Sequence, residues 1–140
     1  MPVSDCDFNI LEKIKYPLVN QFYKRVYKKG IADKSEAVFV LKNSQGIICS
    51  AKLKQLDNQL LLTGVACDPE YQQQGHASKL VTTLLNKQNQ KIYCFPYPHL
   101  EQFYLRLGFT PLLPDDAPSI IQQRFLHYQQ HQKLLLMVFK

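Results

Sequence analysis

The sequence predicts an α/β domain: a mixed sheet containing a parallel pair of strands, flanked by helices. Three observations predict it. An apolar strand, Leu60–Cys67, passes through a polar, glycine-containing loop into an amphipathic helix. Two strand-like segments joined by a turn precede that unit. A short strand, Lys91–Phe95, follows the helix, and a strand–helix–strand crossover of this length requires its two strands to be parallel.

Taken in order, residues from about Asp7 to Lys29 read as helix, in two pieces. Leu11, Ile14 and Leu18 share a helical face that Phe22 and Val26 continue. Asp7 is placed to cap the start, Pro17 to begin the second piece, and Gly30 to end it. No convincing strand precedes these helices, unless it is Met1–Val3. Ala37–Lys42 is a strand by its β-branched and aromatic content. Asn43-Ser44-Gln45-Gly46 turns the chain into Ile47–Leu53, making a hairpin. Asp57-Asn58 turns it again into Leu60–Cys67, where Gly64 marks a bulge.

The helix after the loop presents Ala77, Leu80, Val81, Leu84 and Leu85 on one face. Beyond Lys91–Phe95, Pro96-Tyr97-Pro98 breaks the chain. His99–Leu107 is a short helix whose face carries Leu100, Phe103, Tyr104 and Leu107, with Gly108 as its cap. Phe109–Leu113 is a strand that Pro111 and Pro114 keep short or peripheral. Asp115-Asp116 and Pro118 start a last helix, faced by Ile121, Phe125 and Tyr128. Leu134–Phe139 closes the chain as a strand apolar enough to be central or well covered.

A chain of 140 residues with 46% hydrophobic and 20% charged residues is expected to be one globular domain, spanning 1–140. No apolar run approaches the ~20 residues of a membrane span. The polar, acidic start is unlike a secretory signal, so a cytoplasmic location is expected. Cys6, Cys49, Cys67 and Cys94 include no Cys-x-x-Cys pair, which argues against a metal site; buried thiols in a reducing compartment are the expectation. The net charge of +6 owes much to Lys24-Arg25 and Lys28-Lys29. Those cations suit a helix C-terminus and a solvated face, and no motif there reads nucleic acid. A basic surface also favours an anionic ligand.

The chemistry centres on the junction of loop and helix. The first N–H groups of a helix have no partner inside it, and the helix dipole places partial positive charge there. Small residues let backbone close around a phosphate. Gly75 and Ala77 supply them in Gln72-Gln73-Gln74-Gly75-His76-Ala77. The loop lacks the Gly-Lys-Ser/Thr of a P-loop and two of the three glycines of a dinucleotide fingerprint.

The pattern Gln72-x-x-Gly75-x-Ala77 resembles the pyrophosphate loop of the Gcn5-related N-acetyltransferases (GNAT family). Asp68-Pro69-Glu70-Tyr71 before it is similar to the family's Val-x-Pro-x-Tyr approach, and Phe103-Tyr104-Leu105-Arg106-Leu107-Gly108-Phe109 to its aromatic-Tyr-x-x-x-Gly-Phe ending. The resemblance covers roughly Ala37 to Leu113. It implies the GNAT acyl-CoA N-acyltransferase fold, a mixed sheet whose splayed parallel strands open a slot for acetyl-coenzyme A (acetyl-CoA). A helix before the final strand departs from the commonest family plan.

The resemblance further implies acetyl transfer to an amine, by direct attack on the thioester and without an acyl-enzyme. Backbone of Gln72, Gln73, Gln74, Gly75, His76, Ala77 and Ser78 would take the pyrophosphate. Val65, Ala66 and Cys67 would run beside the pantetheine arm as a sheet edge does. Tyr104 matches the tyrosine that protonates the leaving thiolate; a phenol with a reference pKa of ~10 is protonated at neutral pH and able to donate. His99 is a weaker candidate, as a proton relay. Tyr97 stands where many members carry Asn, and Ile92 where some carry a Glu base. These departures leave open a non-catalytic acyl-CoA-binding module. The acceptor is expected to be a small-molecule amine more than a protein, and the chain a monomer or homodimer.

Overall fold

A computed structural model describes residues 6–140. Among these residues the chain forms seven strands and four α-helices, and the strands follow the order β1-β2-β3-β4-β5-β7-β6 in a mixed sheet. No helix among them is long and apolar enough to cross a membrane. The chain divides into two compact units. One holds the residues up to Leu53 together with Thr63–Gln88; the other holds Lys54–Leu62 and Asn89–Lys140.

The first unit contains β1 (Asp7–Ile10), α1 (Tyr16–Val26), β2 (Glu36–Asn43), most of β3 (Gly46–Leu56), the second half of β4 (Gln59–Cys67) and α2 (His76–Asn86). Its opening corrects the sequence reading. Asp7 caps no helix: Asp7–Ile10 is a strand, antiparallel to β2 with Asp7 opposite Lys42 and Ile10 opposite Phe39. Phe8 stacks on Phe39 with ring centroids 6.1 Å apart, and the Leu11 N–H donates to Val38 O at 2.8 Å. Leu11, just past this strand, is buried in the cluster that the face of α1 forms with β2. Ile14 and Leu18 are 84% and 56% exposed; Tyr16, Val19, Phe22 and Tyr23 form the buried face of α1 instead. The helical spacing of Leu11, Ile14 and Leu18 was real, but ladder hydrogen bonds outweighed it. Pro17 stands in the first turn of α1, as expected. Gly30 ends a 3-10 turn under the Tyr23 ring, where a Cβ would lie 2.3 Å from Tyr23 Cδ1. A Met1–Val3 strand lies outside the described residues.

The core here joins α1 to Val38, Val40 and Ala66. It also encloses an ion pair. Lys52 Nζ lies 3.2 Å from the Glu36 carboxylate and 3.2 Å from Ile31 O, with side chains 5% and 6% exposed. Thr63 donates to Glu36 Oε2 at 3.4 Å. Both charges fall on strands that read as apolar, because their β-branched and aromatic neighbours dominate the pattern.

The second unit contains the start of β4, β5 (Ile92–Cys94), α3 (Glu101–Leu107), β6 (Thr110–Pro111), α4 (Ser119–Gln129) and β7 (Met137–Phe139). β5 is parallel to β4, as the crossover required, and antiparallel to β7. β7 lies between β5 and the two-residue edge strand β6. Leu134 and Leu136 are buried but precede the strand; Leu135 N–H donates to Pro96 O at 2.8 Å, and Leu136 O accepts from Leu112 N–H at 3.0 Å. Ile121 and Phe125 of α4 pack on Leu61, Tyr93 and Val138.

Removing one member of the Glu36–Lys52 pair strands the other charge out of water. Glu36→Ala is expected to cost about 3–5 kcal/mol, read as a lower urea midpoint at unchanged slope. The double replacement Glu36→Leu with Lys52→Met is expected to recover most of that loss.

Candidate active site

The β4–β5 ladder pairs Leu60, Leu61 and Leu62 with Ile92, Tyr93 and Cys94. β4 then runs on through Thr63–Cys67. The change falls at Gly64, whose φ of +62° suits glycine and departs from extended backbone at that residue. Tyr23 holds this residue in place. Tyr23 donates to Gly64 O at 2.6 Å, and its phenol oxygen lies 2.9 Å from Ser50 Oγ. Burial pushes the Tyr23 phenol well up, so its proton stays in place. A Cβ on residue 64 would meet Lys52 Cε at 2.7 Å. Past Gly64, Ala66 packs into the core while Val65 and Cys67 are half-buried.

The turn after β4 is tied down by Asp68. Its carboxylate accepts the Glu70 N–H at 3.0 Å and Arg25 Nη1 at 2.7 Å, while its own N–H donates to Ile48 O at 2.8 Å. The Glu70 N–H, and after it the Arg25 guanidinium, hold the Asp68 carboxyl below the usual carboxylate range. Glu70 itself is exposed, as expected of a solvated turn residue.

The loop follows. Gln73 and Gly75 take left-handed backbone, φ +62° and +82°. Gly75 is the N-cap of α2 with no side-chain cap, and Lys79 N–H to Gly75 O at 3.0 Å is the first helical bond. Among the described residues no backbone N–H from Gln73 to Ser78 donates to a protein acceptor. Two exposed side chains of the loop bond back to the preceding backbone, and one ring is buried. Gln72 donates to Cys67 O at 3.0 Å and Gln74 to Glu70 O at 3.4 Å. His76 is buried, edge-on to Tyr71, with Nε2 3.3 Å from Gln74 Oε1. The ring of His76 thus shapes the loop, a role beyond the backbone one read from sequence. A Cβ on Gly75 would meet nothing within 4 Å. Uncommitted amides, left-handed backbone and open space over a glycine at a helix N-terminus form a donor set that fits a diphosphate.

The structure brings Val65–Cys67 and Gln72–Ser78 together in the first unit. Tyr104 and His99 belong to the second. Tyr104 is 7% exposed, edge-on to Phe103 at 5.1 Å and to Phe109 at 5.5 Å between centroids. Phe109 N–H donates to Tyr104 O at 3.1 Å, and Gly108, with φ +105°, ends α3. The Phe-Tyr-x-x-x-Gly-Phe spacing thus builds one aromatic cluster at the end of this helix. His99 is exposed on a 3-10 turn and stacks on Tyr97 at 5.8 Å.

Sequence reasoning missed two features. Arg25, assigned to a solvated basic patch, reaches Asp68. Cys49 and Cys67, eighteen residues apart, meet across β3 and β4 with sulfurs 2.7 Å apart. Strand register alone was the available signal for the second.

The family model described as "Acetyltransferase (GNAT) domain" matches residues 34–111, more than half of the chain. The chain belongs to the GNAT acetyltransferase family. No curated protein matches it in sequence. Several solved structures share its fold. One is N-acetylglutamate synthase from Neisseria gonorrhoeae complexed with coenzyme A and N-acetyl-glutamate, with a TM-score of 0.71 at 11% identity over 96% of this chain; the chain spans only 34% of that protein. The ribosomal-protein-S18-alanine N-acetyltransferase from Escherichia coli gives a TM-score of 0.69 at 16% identity, over 96% of this chain and 92% of that one. A GNAT-family acetyltransferase from Staphylococcus aureus Mu50 gives 0.67 at 17%, over 96% and 98%.

The depressed carboxyl of Asp68 sets a sign for acid stability. Its contribution is complete above the unfolded pKa of ~4 and is lost as pH falls through the lower folded value. Asp68→Ala is expected to cost about 1–2 kcal/mol at pH 7. The variant's stability should also fall less steeply on acidification than that of the unsubstituted protein, in denaturant titrations from pH 7 to pH 2.

Proposed function

We propose that the protein is an acetyl-CoA-dependent N-acetyltransferase that passes the acetyl group directly to an amine, with a small molecule as its acceptor. One observation carries the reading: among the described residues the backbone amides from Gln73 to Ser78 meet no protein acceptor, at a helix start opened by Gly75. In this reading those amides hold the diphosphate of the donor. Gln72 and Gln74 brace the loop against the preceding backbone, and Val65, Ala66 and Cys67 offer strand backbone to the pantetheine arm beyond Gly64. The net charge of +6 favours such an anionic ligand. Family membership supports the donor class. A cytoplasmic enzyme, monomeric or homodimeric, fits this chemistry.

Acetyl-CoA supplies an activated thioester and a leaving thiolate. Tyr104, whose ring lies edge-on to Phe103 and Phe109, would donate its phenolic proton to that sulfur. His99, exposed on its turn, relays the proton released by the amine through water.

The reading is tested with a panel of small amines and acetyl-CoA, following free thiol release. Acceptor-dependent thiol release is expected, with peptides poorer acceptors than the best small amine. Binding of coenzyme A with no acceptor-dependent release from any amine would instead identify a non-catalytic binding module. In Tyr104→Phe, turnover is expected to fall more than about tenfold while coenzyme affinity stays within about twofold. Unchanged turnover would remove Tyr104 from the reaction.

A further inference from the structure

Cys49 is fully buried on β3, and Cys67 is half-buried at the last position of β4. Both belong to the first unit. Their sulfurs lie 2.7 Å apart, with the Cys49 thiol donating to Cys67. A covalent S–S bond is ~2.05 Å long, so bond formation needs less than about an ångström of sulfur movement. The reading of these residues as inert buried thiols does not use that juxtaposition. A third thiol, Cys6, sits with its sulfur 3.8 Å from His76 Nδ1. Cys94 is buried in the second unit.

We propose that Cys49 and Cys67 form a dithiol modification site, oxidised by a peroxide to an intrachain disulfide and restored by a dithiol reductant. Their roles follow from position. Cys67 is the member with solvent access, and it accepts the hydrogen bond from Cys49, which favours its thiolate and lowers its pKa. Burial and the bond it donates push the Cys49 thiol up, so Cys49 keeps its proton until the second step. In the first step the Cys67 thiolate attacks one peroxide oxygen and the O–O bond breaks. Cys67 becomes a sulfenic acid, and the departing hydroxide takes up a proton to leave as water. In the second step the Cys49 sulfur attacks Cys67 sulfur and displaces hydroxide, which takes the Cys49 proton and also leaves as water. Two thiols and one hydrogen peroxide thus give one disulfide and two waters.

The bond would tie the end of β4 to β3 beside the Cys67 carbonyl that Gln72 grips. The proposal does not rest on the coenzyme reading, since the modification is read directly by mass.

The folded, reduced protein is treated with hydrogen peroxide at pH 7, quenched with iodoacetamide, and mapped under non-reducing conditions, with glutathione as a rate reference. The expected product has lost two hydrogens, carries a Cys49–Cys67 peptide and reverts with dithiothreitol. It should form at least about tenfold faster than glutathione is oxidised. In Cys49→Ser, dimedone should label Cys67 as a trapped sulfenic acid; in Cys6→Ser, the bridge should form unchanged. Circular dichroism confirms that each variant is folded. Oxidation of Cys67 no faster than glutathione, a bridge from Cys6 in place of Cys67, or loss of the bridge in folded Cys6→Ser would each overturn the proposal.

Discussion

Backbone donors at the start of a helix must find acceptors, and at α2 the described residues supply none to the amides from Gln73 to Ser78. A serine, threonine or aspartate in the N-cap position is the ordinary solution, worth about 1 kcal/mol. This chain places Gly75 there, with left-handed backbone and no capping side chain. Much of the first unit serves that exposed helix start. Tyr23 holds Gly64 in β4, Asp68 locks the turn beyond it, and the side chains of Gln72, Gln74 and His76 brace the loop. Stability withheld from the cap remains available to an anion that binds it.

The loop's rigidity has a visible source. A run of glutamines before a glycine has no fixed conformation by itself. Here Gln72 is tied to the end of the preceding strand, and the buried ring of His76 meets Tyr71 and Gln74. Arg25 reaches from α1 to Asp68 and so couples the helix behind the sheet to the turn before the loop. Arg25 is more than half exposed, so its contribution lies in orienting the carboxylate rather than in ion-pair energy.

Much of this architecture was legible in the residues. The central strand, loop and helix, the parallel β4–β5 pair and the hairpin all followed from periodicity, turn chemistry and crossover length. So did the short, peripheral β6. The beginning was not, because Leu11, Ile14 and Leu18 have helical spacing while the main-chain partner of Asp7–Ile10 lies more than 25 residues away on β2. Long-range pairing of this kind leaves no local trace. The same holds for Glu36 with Lys52 and for Cys49 with Cys67: each pair is made by strand register, which hydrophobic alternation constrains only weakly where both faces are buried. The candidate site divides in the same way. Its backbone elements were readable as a motif, whereas the side chains that rigidify it were not.

The central claim is that the loop amides recognise a diphosphate, and the most direct measurement compares ligands that differ in it. Isothermal titration of coenzyme A against pantetheine, which keeps the thiol arm and lacks the diphosphate and adenosine, reads that contribution, with ADP as a third ligand to report the other half. The account predicts that coenzyme A binds at least about a hundredfold more tightly than pantetheine, a difference of about 2.7 kcal/mol, and that ADP competes with coenzyme A. Equal affinities for coenzyme A and pantetheine, with no competition from ADP, would contradict it.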